Sequence, residues 1–174
     1  SGLAAAFDGE SNFSATSSGA TIKLTRTGGA DLTLSTKDPF GDGGIGVVFK
    51  EVSSITDLPV IAPDGFRVKV KGDPELNEDD YYVKFETNEG LTSGNMGRGS
   101  WVEDIGYGVA TTIKNTTMPY KLVSTAANTF TLSASTWTAR AAGDTTSNPN
   151  PSFIGQKLSN LFFYKNRLGV LSED

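Results

Sequence analysis

The chain has neither cysteine nor histidine. Without cysteine there is no disulfide framework, no thiol nucleophile and no Cys-based zinc site, and the redox compartment stays open. Without histidine the usual general base at neutral pH is missing, along with the commonest transition-metal ligand and both the Ser-His-Asp and Cys-His triads. A hydrolase built from this sequence would have to run on carboxylates. Positive charge is also short: 15 Lys and Arg against 20 Asp and Glu leave a net charge of −5. That is the wrong sign for a protein that binds nucleic acid by neutralising phosphates, although an acidic wall along which DNA slides is compatible with it. No stretch approaches the ~18 consecutive apolar residues of a membrane span. The opening SGLAAAF has neither the basic flank nor the apolar length of a signal peptide. The sequence therefore reads as a soluble segment without membrane insertion.

What is present points to β structure. The 174 residues suffice for one sizeable domain or two small ones, and they include 20 glycines, with short apolar stretches set between turn signals. No long stretch keeps a helical period. The expected class is mainly β: antiparallel hairpins and small sheets with long loops and at most short helices. In TIKLTRTGGADLTLST, Ile22 and Leu24 alternate with polar residues, Gly28-Gly29 offers a turn, and Leu32 and Leu34 return, which predicts a hairpin. A second hairpin is expected in FRVKVKGDPELNEDDYYVKFE, where Phe66, Val68 and Val70 can face Tyr81, Val83 and Phe85. Arg67, Lys69, Lys71, Lys84 and Glu86 would then stay outside. Between the two, Ile45, Val48, Phe49 and Val52 suit either a short helix or a strand, interrupted at Asp57-Leu58-Pro59 and Pro63-Asp64-Gly65. Further strands are expected at 100–103, 120–124, 129–132 and 160–164. The natural divisions are 1–54 as an N-terminal hairpin segment, 55–145 as a central antiparallel domain, and 146–174 as an Asn/Pro-rich connector entering a following β domain. The ending, an apolar pattern that stops at LSED, reads as a segment of a larger multidomain chain.

Candidate chemistry is thin. GDGGIG at 41–46 fits the spacing of a dinucleotide loop, but the preceding TKDPF is a turn and no βαβ context surrounds it, so a plain glycine loop is the expectation. The acids Asp73, Glu75, Glu78, Asp79 and Asp80 could ligate calcium or form a glycosidase pair; without EF-hand spacing they read as a solvated hairpin loop. Asp38 and Asp42 read as turn formers. Trp101, Trp137, Tyr81, Tyr82 and Tyr107 could stack sugars, against the commoner use of strand aromatics as core. No metal, cofactor or catalytic residue is assigned. The most specific stretch is TWTARAAGDTTSNPNPSFIG, residues 136–155. Here Arg140 can hold carbonyls or a carboxylate while Gly143-Asp144 turns the chain. Asn148-Pro149 and Asn150-Pro151 fix φ and disfavour helix, predicting a rigid extended connector.

Six motifs occur in order: TDLPVIAPDGFRVKVKGD, DDYYVKFE, SWVED, TMPYKLV, WTARAAGDTTSNPNPSFIG and FFYKNRLGVLS. In this order the chain resembles the tail tubular protein B (nozzle) family of short-tailed bacteriophages, from about Val52 to its last residue, with a looser match before that. The resemblance implies a non-enzymatic structural virion protein of the phage tail. Such a protein would form a homo-oligomeric, hexameric ring that meets the tail adaptor and tail fibres and lets double-stranded DNA pass without specific binding. It also implies a family chain several times longer than this one. Within the matching motifs, the residues expected to carry architecture and assembly are Trp101, Pro119, Trp137, Arg140, Asp144, Asn148, Pro149, Pro151, Phe153 and Arg167. Two other readings stay open on the residues alone: a carbohydrate-binding or polysaccharide-degrading tail module, and a self-contained β-sandwich adhesion module.

Overall fold

Residues 2–28, 31–39, 41, 43–72, 75 and 79–173 are described by a computed structural model of the chain. The order along the chain is helix α1 (Gly2–Asp8), hairpin β1 (Phe13–Ser18) and β2 (Thr21–Arg26), β3 (Glu51–Val52), β4 (Ile61–Pro63), β5 (Arg67–Val70), β6 (Tyr81–Thr87) and β7 (Met96–Asp104). Two further hairpins follow: β8 (Tyr120–Ala126) with β9 (Thr129–Ala134), and β10 (Leu158–Tyr164) with β11 (Arg167–Ser172). The protein is mainly β, as its composition implies.

The centre is a five-stranded sheet in the order β3-β5-β6-β7-β4. Its heart is the hairpin that strict alternation predicts: β5 and β6 are antiparallel, with Val68 opposite Val83 and Val70 opposite Tyr81. Because side chains alternate across a strand, one face collects Val68, Val70, Val83 and Phe85, and Val68 and Phe85 are fully buried, each 0% exposed. Val52 and Leu58 join this cluster, and Val48, Phe66, Tyr81 and Trp101 pack against it. Trp101 sits opposite Phe85 on β7. Its ring meets Phe85 edge-on at 5.0 Å and Phe66 at 6.1 Å, while its indole N–H donates to the Pro59 carbonyl at 2.9 Å. Burying an indole costs little only when its N–H is paired, and Pro59 supplies that partner.

Of the two readings for 45–52, no helix forms, and the strand is confined to Glu51–Val52. Val52 lies in β3, which adds in parallel to the free edge of β5, with Lys69 N–H donating to Lys50 O and Lys71 N–H to Val52 O, both at 2.9 Å. The break at Pro63-Asp64-Gly65 becomes the corner between β4 and β5, with Gly65 at φ +76°. The Asp64 carboxylate closes this corner by accepting from Thr87 N–H at 3.0 Å and the Thr87 hydroxyl at 2.8 Å.

The predicted hairpin around Gly28 does not form. Residues 31–38 carry no strand, and Gly29 lies outside the described residues. Instead β2 turns back on β1, with Ser18 opposite Thr21 across the two-residue loop Gly19-Ala20. Gly19, at φ +57°, supplies the backbone such a tight loop needs, and an added Cβ there would lie 2.9 Å from Ile61 Cδ1. This ribbon is tied to the sheet by Lys23, whose ammonium donates to Gly94 O at 2.6 Å. The strands expected at 100–103, 120–124, 129–132 and 160–164 lie within β7, β8, β9 and β10.

Candidate assembly site

The second face of the sheet is polar, and residues 105–107 and the turn at 143–147 are fastened onto it. Arg67 and Asp104 pair at 2.6 Å, Lys69 and Asp80 at 2.5 Å, and Lys84 and Glu86 at 2.9 Å. Asp80 is buried. It also accepts from Gly72 N–H at 3.2 Å, and the Lys69 ammonium holds its carboxyl below the ordinary carboxylate value. At Asp104 burial works to raise the carboxyl, but the bonds from Arg67 and the Ile105 backbone outweigh it and the net direction is down.

Tyr82 stands at the centre of this face. The Tyr107 ring meets it edge-on at 6.3 Å, and the Lys69 ammonium lies 6.0 Å from its ring centre. The Tyr82 hydroxyl donates to Asp144 Oδ2 at 2.8 Å, bridging 62 residues of chain. Burial, with the Asp144 carboxylate beside it, pushes the Tyr82 phenol up to about 12. The other Asp144 oxygen accepts from Thr146 N–H and Ser147 N–H, each at 2.8 Å, and from the Ser147 hydroxyl at 3.1 Å. These donors, the Ser147 backbone foremost, hold Asp144 far below the usual carboxylate range despite partial burial.

Asp144 is thus a knot, an Asx turn whose spare oxygen reaches across to the sheet. Backbone seals it: Gly106 N–H donates to Gly143 O at 2.9 Å and Gly143 N–H to Asp104 O at 3.2 Å. Gly143 sits at φ +71°, and a Cβ there would lie 2.8 Å from Asn148 Cβ. A Cβ on Gly106 would lie 2.9 Å from Asp144 Cβ and 3.1 Å from the Tyr82 ring. Both positions need glycine for the chain segments to touch.

Arg140 works on carbonyls rather than on the Asp144 carboxylate. Its Nη1 donates to Asp144 O at 2.9 Å and to Asn148 O, and its Nη2 donates to Asn150 Oδ1 at 2.7 Å. The guanidinium fork therefore clamps the turn from outside while the carboxylate organises it from inside. Asn148 adds a bond from Nδ2 to Ala142 O at 3.2 Å. The stretch after the knot is not one extended connector. Pro149-Asn150-Pro151 is a short irregular link between the Asp144 turn, which Asn148 N–H closes by donating to Asp144 O at 3.0 Å, and a second turn, closed by Ile154 N–H donating to Pro151 O at 2.9 Å. Two successive side-chain and backbone turns satisfy more polar groups than a straight run would.

Of the expected assembly residues, Arg140, Asn148, Pro149, Pro151 and Phe153 share the wall of one cleft of about 690 Å³, opposite Ile113 and Met118. Met118 is buried and Pro119 half-buried, just where β8 begins. Trp101 belongs to the opposite, apolar face. Trp137 is half-buried, and its indole nitrogen, like Arg140 Nε, is buried with no hydrogen-bond partner among the described residues. Arg167 is exposed at the start of β11. The five aromatics considered as a sugar platform are divided, with Trp101 and Tyr81 in the apolar cluster and Tyr82 and Tyr107 on the polar face. Among the described residues no group of three or more acids converges as a metal site. Asp73, Asp42 and Glu78 lie outside the described residues; Asp38 accepts from Gly44 N–H at 2.8 Å, as a turn former does. No helix among the described residues is long and apolar enough to cross a membrane.

Residue-level reasoning missed Tyr82 as the anchor and Gly106 as the contact point. The Asp-x-x-Ser spacing of Asp144 and Ser147 was the available signal for the knot, since it is a side-chain turn signature. Nothing in the sequence marks which distant hydroxyl fills the second oxygen.

Beyond the knot the surface changes character. In β8–β9, Tyr120, Leu122, Phe130 and Leu132 share one face and are all exposed, Phe130 by 61% and Leu132 by 66%. Lys121, Thr131 and Ser133 lie on the other face, with Val123 as its single large apolar side chain. Patches of this kind mark contact surfaces.

A family model described as bacteriophage nozzle protein matches residues 1–174. Tail tubular protein gp12 of Escherichia phage T7 is 34% identical over 152 residues, which is 87% of this chain and 18% of that protein. The chain thus spans less than a fifth of the length of the curated relative it matches.

Proposed function

Since the chain belongs to the bacteriophage nozzle protein family and so to the phage tail, we propose that it is a wall segment of the tail tube: a structural, non-catalytic part of a hexameric ring that meets the head-tail adaptor and the tail fibres and conducts double-stranded DNA during ejection. The observation that carries this reading is the naked apolar face of β8–β9, set beside a rigidly knotted sheet. A protein whose work is assembly needs such a rigid frame and an unsatisfied surface; catalysis would need converging chemistry. The net charge of −5 fits a conduit, because acids on a lumen repel phosphates and let a duplex pass without sticking.

The test is negative-stain electron microscopy with solution mass on the full-length protein. Hexameric rings with a central channel are expected. Monomers without affinity for adaptor complexes would overturn the reading. A separate arm tests conduction: exchanging the lumen-facing acids of the assembled tube for lysine should slow DNA ejection, and unchanged ejection kinetics would remove the electrostatic part.

A further inference from the structure

The two distal hairpins differ in one respect that decides their surroundings. Alternation in β10–β11 places Leu161, Phe163, Leu168 and Val170 on one face, and Phe162, Tyr164 and Leu171 on the other, together with Asn160, Gly169 and Arg167. Both faces are open: Phe163 is 72% exposed and Leu168 56%, and opposite them Tyr164 is 63% exposed and Phe162 51%. The turn is built to last. Lys165 and Asn166 both take positive φ, 46° and 60°, which matches the twist of a two-residue hairpin loop. The Phe162 ring lies so close over Gly169 that a Cβ there would fall 2.2 Å from the ring. A ribbon with one wet face can sit at a surface, whereas a ribbon that exposes large apolar side chains on both faces, as this one does with Phe163 and Leu168 on one and Phe162, Tyr164 and Leu171 on the other, is the pattern of a strand pair covered on both sides.

We propose that β10–β11 is an interior element of the full-length nozzle polypeptide, covered on both faces by strands of that same polypeptide lying outside these 174 residues. The proposal rests on the family reading, which supplies the occupant: the chain covers 18% of its 34% identical relative, so most of a nozzle polypeptide is available for the purpose. A neighbouring copy or a tail partner would need to bring only one layer to a surface. Two layers on one two-stranded ribbon are most directly supplied in cis, where loop closure costs little and the ribbon gains the additional strands a stable β layer requires.

Hydrogen exchange on the full-length protein tests this, first as monomer below the assembly concentration and then in assembled tails. The β6 amides serve as internal reference. In the monomer, the amides of 161–164 and 168–171 should exchange within about tenfold of β6. Exchange at least about a hundredfold faster than β6 in the monomer overturns the proposal. In that case slowing on ring formation assigns the cover to a second copy, and slowing only in complete tails assigns it to another tail protein. Phe163→Ser should speed exchange across β10–β11 in the monomer by about a hundredfold or more; no change would also overturn it. The wild-type measurement stands alone if that variant does not fold. Protection in a monomer that never forms rings would sink the assembly reading while leaving this inference intact.

Discussion

The five-stranded sheet and the two distal hairpins use the same kind of strand to opposite ends. In the sheet, alternation buries Val68 and Phe85 completely and turns Arg67, Lys69 and Lys84 to a face where each finds an acid. In β8–β9 the same alternation gathers Tyr120, Leu122, Phe130 and Leu132 on a face that is exposed among the described residues. Pattern alone thus makes an amphipathic strand; a second layer makes it a core. The Asp144 knot holds its own turn to the sheet through Tyr82.

The contrast is broken most severely at its buried end. Phe85→Ala should cost about 3–5 kcal/mol in chemical denaturation, because the site is enclosed by Trp101 and the valine cluster and cannot collapse. A loss below about 1 kcal/mol would mean the sheet is looser than its packing implies. Next comes the knot. Asp144→Ala leaves the Thr146 and Ser147 amides and the Tyr82 hydroxyl without their acceptor and should cost about 1–3 kcal/mol. Arg140→Ala, which frees the Asp144 and Asn148 carbonyls, should cost on the order of 1–3 kcal/mol, and lysine should not restore it because one ammonium cannot reproduce the fork. Equal stability of the arginine and lysine forms would refute the clamp.

The knot also predicts a pH signature. The folded pKa of Tyr82 is raised from 10.0 to about 12, so its contribution is complete below pH 10 and lost as pH rises through about 12. Asp144 has a lowered folded pKa, so its contribution is present above the ordinary carboxylate value and lost only as pH falls well below that value. Tyr82→Phe should flatten the alkaline limb of a stability-pH profile between 10 and 12, and an unaltered limb would remove Tyr82 as its source. The smallest stability effect belongs to the open ribbon. Leu132→Ser should shift unfolding by no more than about 0.5 kcal/mol, as surface changes do, yet reduce ring formation. A large stability loss would show that the face is already covered.

Legibility followed the range of each interaction. The β5–β6 hairpin could be read because its apolar and charged residues alternate without interruption, and period two admits one register. β1 was invisible: FSATSS has two apolar residues and takes its shape from the Gly19 turn and from β2. β4 is only Ile61–Pro63, too short to leave a period. In the candidate site, Arg140, Gly143 and Asp144 were recognisable as a local turn, since the bonds that shape the turn itself join residues within ten positions of each other. Tyr82 and Gly106 were not, because their roles exist only after β6 and β7 pair and bring Asp104 and Gly143 together.

By itself the sequence determined a mainly β protein without histidine or cysteine chemistry, acidic overall, with its best strands and its tightest turn placed by alternation and by residues such as Gly143. These follow from backbone geometry and side-chain chemistry acting over a few residues. Only the tertiary structure decided which amphipathic faces close on each other, that the Asp144 turn docks on Tyr82, and that the apolar faces of two hairpins find no cover among the described residues. Burial is a property of what lies opposite a side chain, and no local pattern specifies that.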